Sequence, residues 1–193
     1  STDSDLAGFA GTRTLRYLTL QQMPINGRGL ASWEQVPLTS LAFNESKLND
    51  AGLAAWPVWT QLETLRISGA LITSSGLQHI ARYENLQRLV LTELPQLDST
   101  GWTFLSKLNN LSELNLTACA GVDKGTIREI SQRSKLTDLK LSRTHLSIDD
   151  LLLLSPLAKL QTLDLRDNLH LTGEKMSRMQ MALPNCSVVH QLK

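Results

Sequence analysis

The chain has 193 residues, 41% of them hydrophobic, and its formal net charge is +1 at pH 7. This length is sufficient for a sizeable hydrophobic core. The near-zero net charge excludes a global electrostatic attraction to nucleic acid or to an anionic membrane, so we expect neither as a partner. No apolar stretch approaches the length that is needed to span a bilayer.

Residues 1–14 contain the spacing of a short capped helix. Thr2, Leu6 and Phe9 stand where a helix cap and two apolar anchors are expected, and no strand-like motif precedes them. We therefore predict that residues 1–14 form a helix-only half repeat. Because Leu6 and Phe9 give little protection to an open end of the core, we expect the natural protein to continue upstream.

Residues 15–184 repeat one motif seven times: two leucine-like residues three apart, a third two positions later, and then a turn. The motifs start 23, 24, 24, 25, 25 and 24 residues apart. A fixed period in this range predicts a solenoid, in which each unit buries its apolar face by stacking on its neighbours. The motifs begin at Leu15, Leu38, Leu62, Leu86, Leu111, Leu136 and Leu160.

The signals of a short helix follow each strand motif. A polar residue that can accept hydrogen bonds from a helix N terminus stands at the same place in all seven units. Apolar residues then recur at every third position. Trp33, Trp56 and Trp102 stand at anchor positions and are predicted to lie in the core, whereas Trp59 is predicted to be half-buried. The seven polar residues are Asn26, Asn49, Thr73, Asp98, Asp123, Ser147 and Thr172.

A strand, a turn, a helix and a return segment predict a right-handed βα unit. Stacked units place a parallel sheet on the concave face and short helices on the convex face. The segment 185–193 is mostly polar and is predicted to form a C-terminal cap with a short strand. We therefore predict a single α/β solenoid domain over residues 1–193, in which 15–184 form seven repeats of 23–25 residues.

The chain resembles leucine-rich repeat proteins over essentially its whole length. The stretch Leu114–Asp123 is similar to the cysteine-containing subclass, which is known from F-box-type ubiquitin-ligase adaptors and many bacterial proteins. Ala182–Cys186 resembles the ends of bacterial repeat arrays. The resemblance implies a horseshoe fold, and no cofactor is expected. A continuous asparagine or cysteine ladder is absent, because the corresponding position reads Met23, Ser46, Ala70, Leu94, Cys119, Thr144 and Asn168.

Function has to be sought on the predicted concave face, where the side chains between the leucines point away from the core. Charges concentrate in the last two repeats, and we predict that a protein partner binds there. The candidates are Asp138, Lys140, Arg143, Asp164, Arg166 and Asp167.

A structural interpretation of the same residues stays open. Lys140 is predicted to lie beside Asp164, and Arg143 beside Asp167. Cross-strand ion pairs of this kind stabilise a sheet by about 0.2–1 kcal/mol each and need no partner.

A second, smaller candidate is Arg66 together with Arg88. Tyr17 is the only aromatic residue predicted for the concave face, whereas strong binding sites favour Trp, Tyr and Arg. We therefore expect binding on this face to be polar and sensitive to salt.

Catalytic constellations are missing from the sequence. The four histidines lie in different units without ligand spacing, so no metal site is expected. Neither a Gly-x-Ser-x-Gly motif nor the glycine spacing of a phosphate loop occurs. We predict a non-enzymatic protein-protein interaction module. Two alternatives stay open: the targeting arm of a larger enzyme, such as a kinase or ubiquitin-ligase effector, with its catalytic domain outside this chain, or one face of a permanent assembly.

Two cysteines, Cys119 and Cys186, stand in separate units and are predicted to be too far apart for a disulfide. This sparse use favours an intracellular setting. Asn-x-Ser/Thr sequons would matter only in a eukaryotic secretory pathway. We expect a monomer or one part of a larger chain. The sequons are at Asn44, Asn110, Asn115 and Asn185.

Overall fold

The computed structural model of the protein describes residues 2–190. Ser1 and residues 191–193, which include the end of the predicted C-terminal cap, lie outside the described residues. Eight strands form one parallel sheet, in the order in which they occur along the chain. The strands are β1 (Tyr17–Gln21), β2 (Ser40–Asn44), β3 (Thr64–Ser68), β4 (Arg88–Thr92), β5 (Glu113–Asn115), β6 (Asp138–Lys140), β7 (Thr162–Asp164) and β8 (Ser187–Val189).

Consecutive strands pair without a shift of register. Leu18 is level with Leu41 and Leu65 in the next two strands, and Leu163 is level with Val188 at the far end. A shift of one residue would turn the leucines toward solvent. The observed register therefore confirms the predicted alignment of the motifs.

A repeated backbone arrangement fixes this register at the start of the strands. The carbonyl of Thr39 accepts hydrogen bonds from two successive amides of the next repeat, those of Glu63 and Thr64. The equivalent carbonyls of five other repeats also accept two amides each, and they belong to Arg16, Glu63, Gln87, Ser112 and Thr137.

Short helices lie on the other side of the core, which extends without interruption from Leu6 to Cys186. This is the predicted layering of a parallel sheet and short helices. The α-helices are α1 (Asp3–Ala7), α2 (Asp50–Ala55), α3 (Ser74–Leu77), α4 (Lys124–Ser131), α5 (Ile148–Leu151) and α6 (Glu174–Ala182). The 3-10 segments are Arg28–Leu30, Gln78–Arg82, Ser99–Lys107 and Leu152–Leu154.

The predicted helix caps are confirmed at five of the seven positions. Four of the five accept a hydrogen bond from a backbone amide of the first turn, and Thr73 does not. At the other two, Gly27 and Gly173, which have positive φ, directly precede the helical segments. Asn26 still accepts the amide of Arg28, the first residue of its 3-10 segment, at 3.0 Å, whereas the prediction is wrong for Thr172. The residues at true cap positions are Asn49, Thr73, Asp98, Asp123 and Ser147.

Side-chain donors of one repeat satisfy backbone carbonyls in the helical segment of the preceding repeat. Five of the six acceptor carbonyls also accept a backbone amide, so these bonds chiefly give a partner to the side-chain donors, which would otherwise be buried at a cost. Each of them also joins two repeats. The donors and their acceptors are Trp33 to Leu6, Trp56 to Gly27, Trp59 to Trp33, Arg82 to Leu53, Tyr83 to Pro57 and Arg133 to Leu105.

Trp33, Trp56 and Trp102 are buried, as predicted. The prediction that Trp59 is half-buried is wrong, since only 4% of its surface is exposed. The Trp59 ring packs between those of Trp56 and Tyr83, with centroid distances of 5.9 and 6.1 Å. Burial in this stack raises the pKa of Tyr83 to about 12.

Asn168 supports the turn after β7. It is 3% exposed, and its Oδ1 accepts the amides of Thr144 and His145 from the preceding repeat. Its Nδ2 donates to the carbonyls of Leu141 and Leu165. Asn168 therefore bonds within its own turn and to the preceding one, whereas Met23, Ala70 and Leu94 at the same position offer only apolar side chains.

Cys119 occupies the equivalent position after β5. Its thiol donates to the carbonyl of Leu91 at 3.1 Å, and burial raises its pKa to about 12, so the thiol stays protonated. Cys186 is also buried, and burial together with the nearby Asp138 carboxylate raises its pKa. Both cysteines are free, as predicted.

In the N-terminal segment the cap and the first anchor are confirmed, whereas the prediction of Phe9 as the second anchor is wrong. Thr2 caps α1 in a reciprocal arrangement with Asp5, and Leu6 is buried. Asp3 accepts hydrogen bonds from three backbone amides of the first full repeat. Phe9 is 59% exposed and is not an anchor, since α1 ends at Ala7.

Candidate protein-binding surface

The outward side chains of the sheet form rows that cross the strands, with one residue from each repeat. One row follows the register through Arg66, Val90, Asn115, Lys140 and Asp164. The row beside it contains Thr64, Arg88, Glu113, Asp138 and Thr162. These rows belong to the predicted concave face, and the first charge in them is Arg66 on β3.

Charge is unevenly distributed over this face. Counted from each strand start to the residue five positions later, β1–β3 contribute only Glu45 and Arg66, whereas β4–β7 contribute nine charged side chains. The prediction placed most of the charge in the last two repeats, and the structure extends the charged region back to β4. The nine are Arg88, Glu93, Glu113, Asp138, Lys140, Arg143, Asp164, Arg166 and Asp167.

A column of left-handed backbone residues follows the strands. In each of the seven repeats, the residue that comes five positions after the strand start has a φ between 50° and 60°. Only one of these residues is glycine, although a side chain in this conformation costs about 1–2 kcal/mol. The turn places Arg143 and Asp167 side by side at one edge of the face. The column consists of Gln22, Glu45, Gly69, Glu93, Ala118, Arg143 and Asp167.

One cleft on this face has a volume of about 720 Å³. It brings together five of the eight residues predicted as a binding site: Lys140, Arg143, Asp164, Arg166 and Asp167. Asn115, Thr117 and Leu169 also line it. Leu169 is 78% exposed, so an apolar group stands beside the charges.

The predicted ion pair between Lys140 and Asp164 is wrong. The Asp164 carboxylate does not pair with Lys140, although the two residues are level in the sheet. It pairs with Arg166, two residues later on the same face, at 2.6 Å between Nη2 and Oδ2. The Ser142 hydroxyl donates to the same carboxylate at 3.0 Å. Burial raises the pKa of Asp164, but the bonds from Arg166 and Ser142 outweigh burial, and the net pKa is lowered.

The predicted pair of Arg143 and Asp167 is confirmed. Nε of Arg143 lies 3.0 Å from Oδ2 of Asp167, and both side chains are more than half exposed. An exposed pair of this kind contributes about 0–1 kcal/mol to stability. Both charged groups therefore remain accessible to a partner at little cost to the fold.

The smaller cleft has a volume of about 100 Å³ and holds the remaining three candidates, Arg66, Arg88 and Asp138. Lys140 and Asn115 line both clefts, so all eight predicted residues lie on one continuous surface. Arg88 forms an ion pair with Glu113 of the next strand. The sequence prediction missed Glu113, although it occupies the same motif position as Arg88 one repeat later.

Within residues 2–190, no group of three or more His, Cys, Asp or Glu side chains is arranged to hold a metal ion. None of the helices in the same range has the length and hydropathy needed to cross a bilayer.

A comparison with protein-family models gives no match, and a comparison with curated proteins gives none either. Solved structures are similar in fold. An internalin (inlF) from Listeria monocytogenes aligns with a TM-score of 0.61 and 21% identity, over 81% of this chain and 49% of that one. Internalin C2 (inlC2) from the same organism aligns with a TM-score of 0.56 and 20% identity, over 98% of this chain and 84% of that one.

The chain therefore spans about half the length of the first of these structures. The cysteine-containing subclass stays a prediction. Both neighbours are leucine-rich repeat proteins, and the likeness shows that this chain has the α/β horseshoe fold of leucine-rich repeats.

Proposed function

We propose that the protein is a non-enzymatic protein-protein interaction module that binds a protein partner on its concave face. One observation carries the proposal. The eight charged residues predicted from the sequence line two adjoining clefts on the exposed face of the sheet. A surface of this kind offers directed charges to a partner without any catalytic group.

Rigidity is the physical advantage of the fold for such a role. The aligned strands and the side-chain bonds between repeats hold the clefts in place before a partner arrives. Binding then requires little ordering of the protein, so more of the contact energy appears as affinity. Because the contacts are polar and largely exposed, we expect affinity to fall as salt rises.

The test compares two triple variants of the full chain. The concave variant carries Asp138→Ala, Lys140→Ala and Arg143→Ala, which removes charge from both clefts. Arg166 is left intact, because its loss would leave the Asp164 carboxylate unpaired. The control variant carries Lys107→Ala, Arg128→Ala and Glu174→Ala, three exposed residues of the helical segments, and it changes the net charge by the same amount.

A partner is first captured on the wild-type chain, identified and purified, and its Kd is then measured for each variant. We expect the concave variant to bind at least tenfold more weakly and the control variant to bind as the wild type does. Circular dichroism establishes that both variants are folded. Equal binding by all three chains, or loss in the control variant alone, would place the contact away from the concave face.

A further inference from the structure

The ion pairs of the concave face leave two basic side chains unmatched. Arg88 pairs with Glu113, Arg143 with Asp167, and Arg166 with Asp164. Lys140 and Arg66 are exposed, and neither side chain makes a hydrogen bond or an ion pair within residues 2–190.

These two residues occupy the same row of the sheet. Arg66 lies on β3 and Lys140 on β6, with Val90 and Asn115 between them. Three strand spacings of about 4.8 Å separate them by roughly 14 Å. Oδ1 of Asn115 accepts from Thr117, while its Nδ2 donates to nothing in the described part of the chain.

The row therefore presents a cation, an apolar side chain, a free amide donor and a second cation. An extended polypeptide rises by about 3.3–3.4 Å per residue, so residues four apart are about 13–14 Å apart and point to the same side. We propose that this row binds an extended acidic segment of a protein partner, with two carboxylates four residues apart, one on Arg66 and one on Lys140. The inference rests on the proposed function of the concave face.

The surrounding charges favour discrete carboxylates over a continuous polyanion. Glu113 and Asp138 flank the row on one side, and Glu93 lies at the edge of the adjoining cleft. A chain of evenly spaced negative charges would meet these carboxylates, and like charges in contact cost binding energy. A peptide with two acids and neutral residues between them avoids this repulsion.

The test uses end-blocked Ser/Gly peptides that carry two Glu residues two, three, four, five or six positions apart. Their affinity for the full chain is measured at low salt by fluorescence anisotropy. We expect the four-residue spacing to bind most tightly and the three- and five-residue spacings to bind at least fivefold more weakly, since these place the acids on opposite sides. Arg66→Gln and Lys140→Gln should each weaken the best peptide about tenfold and remove the spacing optimum.

Arg128→Gln, on an exposed helix position, is the matched control and should leave the optimum unchanged. Absence of an optimum, insensitivity to both substitutions, or tighter binding of a polyanion such as heparin would each overturn the inference. If a purified partner still requires Asp138, Lys140 and Arg143 while no peptide shows a spacing optimum, the proposed function stands and this inference fails. If instead the partner binds both triple variants as tightly as the wild type, the proposed function fails together with this inference.

Discussion

The repeats that contain β1–β4 and those that contain β5–β7 share one register but are joined by different groups. In the first set the strands are five residues long, and indole and phenol groups, together with Arg82, reach back to the preceding repeat. In the second set the strands are three residues long, and two polar side chains connect the repeats: Arg133, and Asn168, which accepts the Thr144 amide.

Two of the three shorter strands are connected to the charged face through the same side chains. Asn115 and Asp164 each accept the backbone amide of the residue two positions later. Such local bonds compete with the ladder of the sheet, and β5 and β7 end at these two residues. The polar side chains that form the clefts therefore also shape the backbone. In the N-terminal repeats, the side-chain hydrogen bonds between repeats lie mostly on the helix side.

The comparison predicts that the stability of the C-terminal repeats depends most on the amide side chain of Asn168. Asn168→Ala should lower the free energy of unfolding by about 3–4 kcal/mol, because buried backbone groups of two turns lose their partners. Urea denaturation with a linear analysis measures the change. Asn185→Ala, at an exposed position, should cost less than about 0.5 kcal/mol. A loss below 1 kcal/mol for Asn168→Ala would contradict the role given to this residue.

The N-terminal repeats offer a matched pair of tryptophans. Nε1 of Trp56 donates to the Gly27 carbonyl, whereas Nε1 of Trp102 is buried without a partner within residues 2–190. Trp56→Phe should cost about 2–3 kcal/mol, since it removes ring volume and a buried hydrogen bond. Trp102→Phe removes ring volume alone and should cost about 1 kcal/mol less. Equal losses in thermal and urea unfolding would show that the indole bond contributes nothing.

Asp164 makes the charged repeats sensitive to acid. Its pKa is lowered in the folded protein, so its contribution is complete above the unfolded pKa of about 3.9 and is lost as pH falls through the lower folded pKa. Asp164→Asn should reduce stability by about 1–2 kcal/mol at pH 7. The difference between the two unfolding curves should shrink as the pH is lowered toward 3. A difference that is constant with pH would contradict this assignment.

Substitutions in the left-handed column should have the smallest effects on stability, with opposite signs in the N-terminal and C-terminal repeats. Gly69→Ala should destabilise by about 1 kcal/mol through backbone strain alone, because a Cβ there meets its nearest neighbour at an ordinary 3.6 Å. Ala118→Gly should stabilise by about 0.5 kcal/mol, since relief of strain exceeds the added chain entropy. Thermal unfolding followed by circular dichroism measures both. The same sign for both substitutions would exclude strain as the cause.

The sequence alone was sufficient for the layers and the register, and it placed the eight candidate residues on one face of the sheet, although it missed Glu113. It also predicted the pair of Arg143 and Asp167, because residues at one motif position in successive repeats become neighbours. It failed for Asp164, since motif alignment compares residues between repeats and overlooks a partner two positions away in the same repeat. It failed for Trp59 because the position of a ring depends on the neighbouring rings.

The doubly accepting carbonyls at the strand starts make the array modular. Strand start and left-handed residue are five positions apart in every repeat, so the changes in period from 23 to 25 residues fall in the turn and helical segment that follow. A whole repeat inserted between β4 and β5 would therefore keep every register intact. It would move Arg66 and Lys140 apart by one strand, about 4.8 Å. The reach of the concave face is thus set by the number of repeats, and it can be changed in steps without redesign of either end.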